Sequence, residues 1–301
     1  MLVDAAGLYF RAFYGVPEAT TAPDGMPINA VRGYLDMTST LLERRRPSGY
    51  IACLDVDWRP AFRVALVPSY KAHRVAADGV NEIVPEPLVR QIPVLLDVLA
   101  AVGLATAGAE GFEADDVIAT LAARIQDPCE IVTGDRDLFA LATDHVRVLY
   151  TGKGVAKLED LGPAEIQQRY GIPAAHYADF AVLRGDPSDG LPGVPGIGAK
   201  TATALVARFG AVEQIVAAAE AGAAGFPPGA AARIRAASEY LLAAPAVVRG
   251  RRDAPVPDVD SQLPAEPADP AGLVELVDRY GLDRPMNRLL SVLANVSGTS
   301  S

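Results

Sequence analysis

Nine acidic side chains are the residues of this sequence whose type and spacing best suit chemistry. Mg²⁺ prefers oxygen ligands and keeps several waters, so a phosphoryl-transfer site built on it needs mainly carboxylates and no cage of His or Cys. Two such ions, roughly 3.5–4 Å apart, can activate water and stabilise a leaving oxygen. The acids that we predict to form such a site are Asp4, Asp55, Glu113, Asp115, Asp116, Asp135, Asp137, Asp186 and Asp189.

Each group of acids also has a simpler interpretation. The acids in the run 112–117 suit the first turn of a helix, where acids gain roughly 0.3–1 kcal/mol from the macrodipole. Asp137 suits a helix cap, and the run 185–190 suits a polar turn. Three acids in one turn exceed what a cap needs, and they repel one another unless something positive lies between them. Taken together, the acids favour a metal site.

Nucleophilic catalysis by the protein's own side chains is not expected. The three histidines, His73, His145 and His176, stand in no arrangement of nucleophile and base, and they suit surface or packing positions. The two cysteines, Cys53 and Cys129, lie far apart in apolar runs without CxxC spacing, which predicts reduced core thiols.

Basic and aromatic residues alternate over residues 59–74. This pattern suits a strand of nucleic acid by charge and by stacking, although a basic run is also typical of a solvated face. Lysine occurs only at positions 71, 153, 157 and 200, so Lys71 stands out as a phosphate contact or an electrophile. The candidate nucleic-acid contacts of this part of the chain are Arg11, Arg63, Tyr70, Lys71 and Arg74.

A glycine-rich segment at 191–202 is the second candidate for contact with nucleic acid. Two of its glycines flank an apolar Ile before a helix start, and the backbone N–H groups of such a hairpin can face a phosphate. The segment predicts a helix-hairpin-helix over about 183–209 that grips the DNA backbone without reading sequence, rather than a plain Gly-rich helical turn. Its candidate contacts are Gly193, Gly196, Gly198, Lys200 and Thr201.

Short β-rich runs precede several of the acids and predict the sheet that positions them. The runs lie at 2–3, 50–54, 130–133 and 146–150, and helical patterns lie at about 28–46, 85–102 and 113–126. This alternation predicts a mostly parallel sheet flanked by helices. Ligands of such sheets bind at the carboxyl ends of the strands, where Asp4, Asp55 and Asp135 would emerge.

The chain divides into two predicted parts and a tail. We expect an α/β core over 1–180, a helical part over 181–295 that binds nucleic acid, and a disordered tail over 296–301. Residues 253–270, rich in Pro and Asp, suit an extended linker before two short helices near 270–280 and 284–295. The sequence contains no signal-peptide or membrane-spanning pattern, so we expect a cytoplasmic location.

The net charge of −10 counts against a nucleic-acid ligand, because phosphate binding depends on Lys and Arg. Setting aside the nine candidate ligands from the 37 acids leaves 28 acids against 27 bases. Two divalent ions would also reverse the local sign where a phosphate sits, so the distribution of charge matters more than its total.

Five stretches of the sequence resemble the bacterial and phage 5′ nucleases, which include the 5′ nuclease domain of DNA polymerase I and the flap endonucleases. They are LVDAAGLYFRAF, LDVD to YKAHR, FEADDVIATLAA, IVTGDRDLFAL and LRGDPSDGLPGVPGIGAKTA, in the family's order and spacing over roughly residues 2–250. Among these proteins, the chain looks most like the stand-alone actinobacterial flap endonucleases.

The resemblance implies roles for these residues and two or more ions of Mg²⁺ or Mn²⁺. Asp4, Asp55, Glu113 and Asp115 would surround one ion, Asp135, Asp137 and Asp189 would serve the other, and Asp116 and Asp186 would act directly or through water. Lys71 and Arg74 match catalytic cations at the foot of the family's helical arch, expected over about 68–95. The hairpin resembles a helix-three-turn-helix that also holds K⁺ through backbone carbonyls.

Three details depart from the family's pattern. Gly190 stands where Asn is common, and the segment from Asp55 to Phe62 is one residue longer than in the polymerase-linked members. Asp57 adds an acid to which the resemblance gives no role.

These observations predict a structure-specific 5′ nuclease of DNA replication and repair, a flap endonuclease and 5′-to-3′ exonuclease that leaves a 5′-phosphate. Its expected partner is DNA with a 5′ flap, a nick or a 5′ end. We expect a monomer without membrane association, and the sequence identifies no protein partner. A PIN-like ribonuclease, which usually lacks the arch and the hairpin, and a non-catalytic binder of DNA junctions are the alternatives.

Overall fold

The computed structural model describes residues 1–297, and a six-stranded sheet lies at its centre. The strands are β1 (Leu2–Asp4), β2 (Ile51–Cys53), β3 (Ala105–Ala107), β4 (Cys129–Thr133), β5 (Val146–Tyr150) and β6 (Glu159–Leu161). Their order is β3-β2-β1-β4-β5-β6, and all neighbours are parallel except β5 and β6. The mostly parallel α/β sheet predicted from the sequence is confirmed.

Helices flank the sheet and then continue beyond it. The first five are α1 (Ala5–Gly15), α2 (Asn29–Arg45), α3 (Ala61–Leu66), α4 (Glu86–Val102) and α5 (Ala114–Arg124). The next six are α6 (Pro163–Tyr170), α7 (Tyr177–Arg184), α8 (Ala199–Phe209), α9 (Val212–Glu220), α10 (Ala230–Ala236) and α11 (Ser238–Val248). The last two are α12 (Pro270–Tyr280) and α13 (Asp283–Ser297), and short 3₁₀ turns lie at 72–74, 137–141, 155–157, 174–176 and 187–189.

Alternate residues of the central strands face opposite sides of the sheet, and both sides are covered. Val3 and Ala52 pack in an apolar core with α2, α4 and α13. Leu2 and Ile51 pack in a second core with α5 on the other side. Burial on both faces is typical of a parallel sheet. The two cysteines are free and buried, as predicted.

The strand register brings the carboxyl ends of β1, β2 and β4 to one edge. Asp4 is aligned with Cys53, and Val3 is aligned with Val132. Asp55 follows the end of β2 closely, and Asp135 follows the end of β4 closely. Acids from three distant parts of the chain therefore emerge at the same edge of the sheet.

Helices α6 to α11 enclose a further apolar core. This core includes Tyr177 and Leu205 from the helices, and it reaches Phe139 in the turn that follows Asp135. The turn is thus packed between the sheet and the helical part, which fixes the direction of the chain just after the acids.

The end of the chain returns to the sheet. Ala254 and Val256 of the extended segment before α12 are buried on the α5 side, and the N–H of Tyr50 donates to the carbonyl of Ser261 at 2.8 Å. Helix α13 packs on α2, so the last two helices, expected in the helical part, share the core of the sheet instead. The expected tail also begins later, because α13 extends to Ser297, and residues 298–301 lie outside the described residues.

Residues 68–95, expected as a helical arch, form a compact loop and the first turns of α4. Val75 and Glu82 form an isolated bridge, and the carboxylate of Asp78 accepts from the N–H of Val80 at 2.9 Å. This Asp-Gly turn lies between the 3₁₀ turn at 72–74 and the start of α4 at Glu86, and it leaves Val80 and Ile83 at an exposed apolar tip. Helical structure in this segment is thus confined to its two ends, and the arch stays a prediction.

Membrane-spanning potential is confined to one pair of helices in the part of the chain that the structure describes. No single helix there is long and apolar enough to cross a membrane. Helices α8 and α9 reach the necessary length and apolar composition only when they are taken together, and they are bent by 84° relative to each other.

Candidate active site

A cavity of about 190 Å³ opens at the sheet edge where the acids emerge. Its charged lining comprises Asp4, Asp55, Lys71, Arg74, Glu82, Glu113, Asp115 and Asp135. Five of the nine predicted acids and both predicted catalytic cations therefore meet in one place. Glu82 also lines the cavity and was not predicted as a site residue, because only the fold of its loop, with the isolated bridge to Val75, brings it there. Trp58, an aromatic residue next to the basic run, lines the cavity as well.

Asp4 both caps α1 and faces the cavity. One carboxylate oxygen accepts from the N–H of Gly7 at 2.8 Å, and the other accepts from the hydroxyl of Thr133 at 3.0 Å. A Cβ at position 7 would lie 2.3 Å from that second oxygen, so glycine is required there. Burial, followed by the nearby charge of Asp55, raises the pKa of Asp4 to about 6.

Asp55 and Glu113 join the end of β2 to the start of α5. Asp55 accepts from the N–H of Ala114 at 2.7 Å, and Glu113 is the N-cap residue of α5. The capping interpretation of this acidic run is true only in part: Glu113 stands at the N-cap position without a side-chain capping bond, and Asp116 accepts from the N–H of Glu113 at 3.2 Å. Asp115 lines the cavity instead. The start of α5 therefore positions Glu113 and Asp115 at the cavity.

Asp135 and Asp137 share a local turn. The hydroxyl of Thr133 accepts from the N–H of Asp135 at 2.9 Å, and a carboxylate oxygen of Asp135 accepts from the N–H of Asp137 at 2.8 Å. Asp137 and Asp115 both line a second cavity, of about 210 Å³, so Asp115 stands between the two openings.

Burial and mutual repulsion raise the pKa values of these carboxylates. Burial, followed by the negative charge of Asp135, raises the pKa values of both Asp115 and Asp137 well above the ordinary range. Burial and the charge of Asp189 likewise raise the pKa of Asp135. Such a group of like charges gains stability from any cation that enters it.

Lys71 supplies one such positive charge from the protein itself. Its ammonium group contacts the carboxylate of Glu113, which also accepts from the hydroxyl of Tyr70 at 2.9 Å. Burial lowers the pKa of Lys71, but the negative charges of Glu113, Asp189 and Asp55 outweigh that effect and raise it. Lys71 therefore stays charged at neutral pH.

Asp116 lies behind the cavity, in a buried ion-pair network. Its two oxygens accept from the guanidinium of Arg63, each at 2.7 Å, and from the backbone N–H groups of Glu113 (3.2 Å) and Arg251 (2.8 Å). With both oxygens occupied and the side chain fully buried, this geometry does not favour the metal role expected for Asp116.

Two of the expected DNA contacts belong to the same network. The side chain of Arg63 is only 2% exposed and Tyr70 only 5%, because both are directed inward at Glu113. Neither is placed to meet a nucleic-acid strand, so their expected DNA contacts are corrected to supporting contacts. Arg11 is half-buried on α1, and its Nε has no hydrogen-bond partner.

The turn with Asp186 and Asp189 closes the site from the helical side. Asp186 accepts from the N–H of Ser188 at 2.9 Å, as the polar-turn interpretation predicted. Asp189 pairs with the guanidinium of Arg74 at 2.9 Å, and its carbonyl accepts from the N–H of Lys71 at 2.9 Å. The turn thereby holds both candidate catalytic cations.

The structure explains two departures from the family's pattern, Gly190 and Asp57. Gly190 has φ +70°, and a Cβ there would lie 2.1 Å from the carbonyl oxygen of Ser69. The close approach of the two loops in this chain therefore requires glycine. Asp57 accepts from the N–H of Arg59 at 3.1 Å, so it shapes a turn beside the site.

The donor set suits hard divalent cations. Among residues 1–297, no three His, Cys, Asp or Glu side chains already converge on one point as a ready-made cage. Mg²⁺ sites in proteins commonly use only one or two carboxylates and keep several waters, so a complete cage is not needed. Within the described part of the chain, the cavity lining contains Asp and Glu side chains and neither His nor Cys. Carboxylates with raised pKa values around one opening fit such ions.

The glycine-rich segment connects α7 to α8 and presents part of its backbone to solvent. Gly196 and Gly198 are exposed, Gly198 is the N-cap residue of α8, and Lys200 is exposed in the first turn. Thr201 follows at a half-buried position. Gly193 differs from its expected role as a DNA contact, because it is buried against the backbone of Arg184.

Comparison with known proteins gives matches along most of the chain. Residues 1–171 match the family described as 5′-3′ exonuclease, N-terminal resolvase-like domain, and residues 172–271 match the 5′-3′ exonuclease, C-terminal SAM fold. A 5′-3′ exonuclease of Streptomyces coelicolor is 51% identical, covering 97% of this chain and 99% of its own. A 5′-3′ exonuclease of Mycobacterium tuberculosis is 48% identical, covering 99% and 98%.

More distant relatives share the fold. A DNA polymerase I of Mycobacterium bovis is 37% identical over 99% of this chain and 32% of its own length. The T5 5′-exonuclease with bound divalent zinc ions has a TM-score of 0.65 at 19% identity, covering 99% of this chain and 98% of its own. The catalytic core of Rad2 in complex with a DNA substrate has a TM-score of 0.58 at 16% identity, covering 97% and 91%.

Proposed function

The chain belongs to the 5′-3′ exonuclease family and is a nuclease, and we propose that it hydrolyses DNA phosphodiester bonds near junctions of single strand and duplex. It would act as a 5′-flap endonuclease and a 5′-to-3′ exonuclease in DNA replication and repair. The observation that carries the proposal is the single cavity in which Asp4, Asp55, Glu113, Asp115 and Asp135 meet Lys71 and Arg74.

Divalent ions, Mg²⁺ or Mn²⁺, are the cofactors that this cavity would take. Asp4, Asp55, Glu113 and Asp115 would hold one ion, and Asp135, Asp137 and Asp189 would hold another, with Asp186 acting through water. When bound, the ions supply an activated water and neutralise charge on the phosphate. The solved T5 5′-exonuclease with divalent zinc supports this proposal through its shared fold.

The protein's own cations orient the scissile phosphate. Lys71 is charged and lies at the wall of the cavity, and Arg74 is held beside it by Asp189. A phosphate that enters between the acids and these cations is gripped from one side by N–H donors. Asp4 and Asp55 are fixed by backbone and hydroxyl donors, so their carboxylates need no rearrangement during the reaction.

The helix-hairpin-helix would hold the duplex while the acids act on the strand. Exposed backbone at Gly196 and Gly198, together with Lys200 and Thr201, suits a phosphate, and a K⁺ ion held by backbone carbonyls would strengthen the contact. Such contacts recognise the shape of DNA rather than its sequence. We further propose that the protein acts as a monomer in the cytoplasm.

Cleavage of a labelled 5′-flap substrate with Mg²⁺ or Mn²⁺ tests the proposal. Replacing Asp135 and Asp137 by Ala should abolish cleavage while the folded protein still binds the flap. The matched control is Asp97→Ala with Asp278→Ala, which removes two exposed acids outside the cavity and should leave cleavage intact. Persistent cleavage by the first variant would overturn the two-metal proposal.

Two further outcomes of the same assay would favour the alternative functions. Preferential cleavage of an RNA flap would favour a ribonuclease, and binding in EDTA with no cleavage on adding metal would favour a junction binder.

A further inference from the structure

Two of the four lysines of this chain, Lys153 and Lys157, lie in the loop between β5 and β6, outside the cavity of the acids. Beside this loop a polar cavity of about 450 Å³ opens on the surface. We call it the basic cavity, and it is lined by Arg136, Tyr150, Lys153, Glu159, Arg169 and Tyr170, with Gly152 beneath. Three cations against one acid give it a local excess of positive charge in a chain whose net charge is −10.

The cations of the basic cavity are held in place but remain open to solvent. Lys153 contacts Glu159 at 3.1 Å, and Arg169 contacts the second oxygen of the same carboxylate. The side chains of Lys153 and Arg169 are nevertheless 73% and 41% exposed, so each keeps donors for a further anion. One carboxylate between two cations positions them without neutralising both.

The walls of the basic cavity are rigid aromatic rings. Tyr150 and Tyr170 both pack on Phe139, with ring centroids 5.1 and 6.0 Å from it. A Cβ at position 152 would lie 2.3 Å from the ring of Tyr150, so the ring folds closely over the loop only because Gly152 has no side chain. The hydroxyl of Tyr150 accepts from Arg136 at 3.1 Å, which turns that arginine toward the basic cavity.

The basic cavity also joins the two parts of the proposed function. On one side, Arg136 stands in sequence between Asp135 and Asp137 of the acid site. On the other side, the carbonyl of Tyr170 accepts from the hydroxyl of Thr203, one turn into the helix that follows the hairpin. Residues of the basic cavity are therefore linked both to the acid site and to the helix that follows the hairpin.

We infer that the basic cavity binds a backbone phosphate of the DNA substrate, as an anchoring point between the hairpin and the cleavage site. Arg136, Lys153 and Arg169 supply the donors, and the tyrosines provide a wall for the sugar or base beside the phosphate. The inference rests on the proposed function, because it takes DNA as the substrate.

Charge-removing variants test the inference through binding rather than cleavage. Fluorescence anisotropy of a labelled flap duplex without divalent metal should show about threefold to tenfold weaker binding by Lys153→Gln with Arg169→Gln, and a salt slope reduced by about 0.9 for each lost phosphate contact. Lys157→Gln, which removes a lysine from the same loop outside the cavity, should bind like the wild type. Glu159→Gln should bind more tightly and with a steeper salt slope, a gain that misfolding does not produce.

The kinetic result separates this inference from the proposed function. The double variant should raise KM for the flap and keep kcat at saturating DNA, because no group at the acid site changes. Wild-type binding and salt slope in the double variant would overturn the inference even if the wild type cleaves flaps. Inorganic phosphate at low millimolar concentration and matched ionic strength should reduce the difference between variant and wild type, because it competes for the same donors; a difference that phosphate leaves unchanged would contradict a phosphate site. A wild type that binds flaps but never cleaves them would overturn the proposed function and leave the binding result standing.

Discussion

The guanidinium of Arg63 lies 2.6 Å from the carboxylate of Glu113, and both side chains are buried. The same guanidinium binds Asp116 and donates to the carbonyl of Val247 on α11 at 2.8 Å. One arginine thus ties an acid of the proposed site to the helical part of the chain.

Replacing Arg63 by Met should destabilise the fold strongly. Removing one partner of a buried ion pair leaves an uncompensated charge and costs roughly 3–5 kcal/mol, here with two carboxylates left behind. The free energy of unfolding from urea titration measures the loss. Arg90→Met is the matched control, because Arg90 pairs with Glu86 on an exposed helix surface and should change stability little. Equal stability of the two variants would contradict the role given to Arg63.

The sequence predicted the sheet and the acids well, because both depend on local patterns. β-rich runs that end in acids fixed β1, β2 and β4, and helices α2, α4 and α5 begin and end within about two residues of the predicted bounds. The missed strands, β3 and β6, are three residues long, and the Ala-rich or polar sequences at the sheet edges carry weak strand signals.

Contacts between residues that are far apart in the chain explain the site roles that the sequence did not predict. Arg63 and Tyr70 have the composition of a nucleic-acid contact, and only their packing against Glu113 shows that they are supports. Gly193 and Gly196 have the same residue type and similar positive φ, but the backbone around position 193 buries the first and leaves the second exposed. Periodicity within one segment carries no information on such neighbours.

The metal-free protein should become more stable as the pH falls. Burial raises the pKa of Asp4 to about 6, so the folded state binds this proton more tightly than the unfolded state does. The resulting stabilisation is complete below about pH 4 and is lost as the pH rises to about 6. About 1.4 kcal/mol of it remains at pH 5 and almost none at pH 8, so urea unfolding in EDTA from pH 5 to pH 8 should show a loss of about that size for this group.

The control for this pH dependence is Asp4→Asn, which removes the titrating group. Its stability should vary less between pH 5 and pH 8 than that of the wild type, and identical profiles would contradict the assignment. Excess Mg²⁺ should stabilise the wild type more at pH 8 than at pH 5, because protons and metal ions compete for the same carboxylates.

Gly190→Ala should damage the site more than its backbone angle alone predicts. Gly190 and Gly222 have φ +70° and +67°, so Ala is strained at both, by about 1 kcal/mol. At 222 nothing lies within 4 Å of the new Cβ, whereas at 190 it would meet the carbonyl of Ser69. The turn must then move away from Lys71, so we expect lower kcat for Gly190→Ala and unchanged kcat for Gly222→Ala. Equal kcat values would show that the turn does not position Lys71.

Lys200→Ala should weaken binding to duplex DNA without changing sequence preference. Lys200 is exposed in the first turn of α8, and a lost phosphate contact lowers the salt slope by about 0.9. Anisotropy titrations of two unrelated duplex sequences between low and moderate salt measure both quantities. Arg284→Ala is the matched control, because Arg284 is exposed on α13, which packs on α2 rather than on the hairpin. A loss confined to one DNA sequence would contradict a backbone contact, and a loss with an unchanged salt slope would assign Lys200 a structural role.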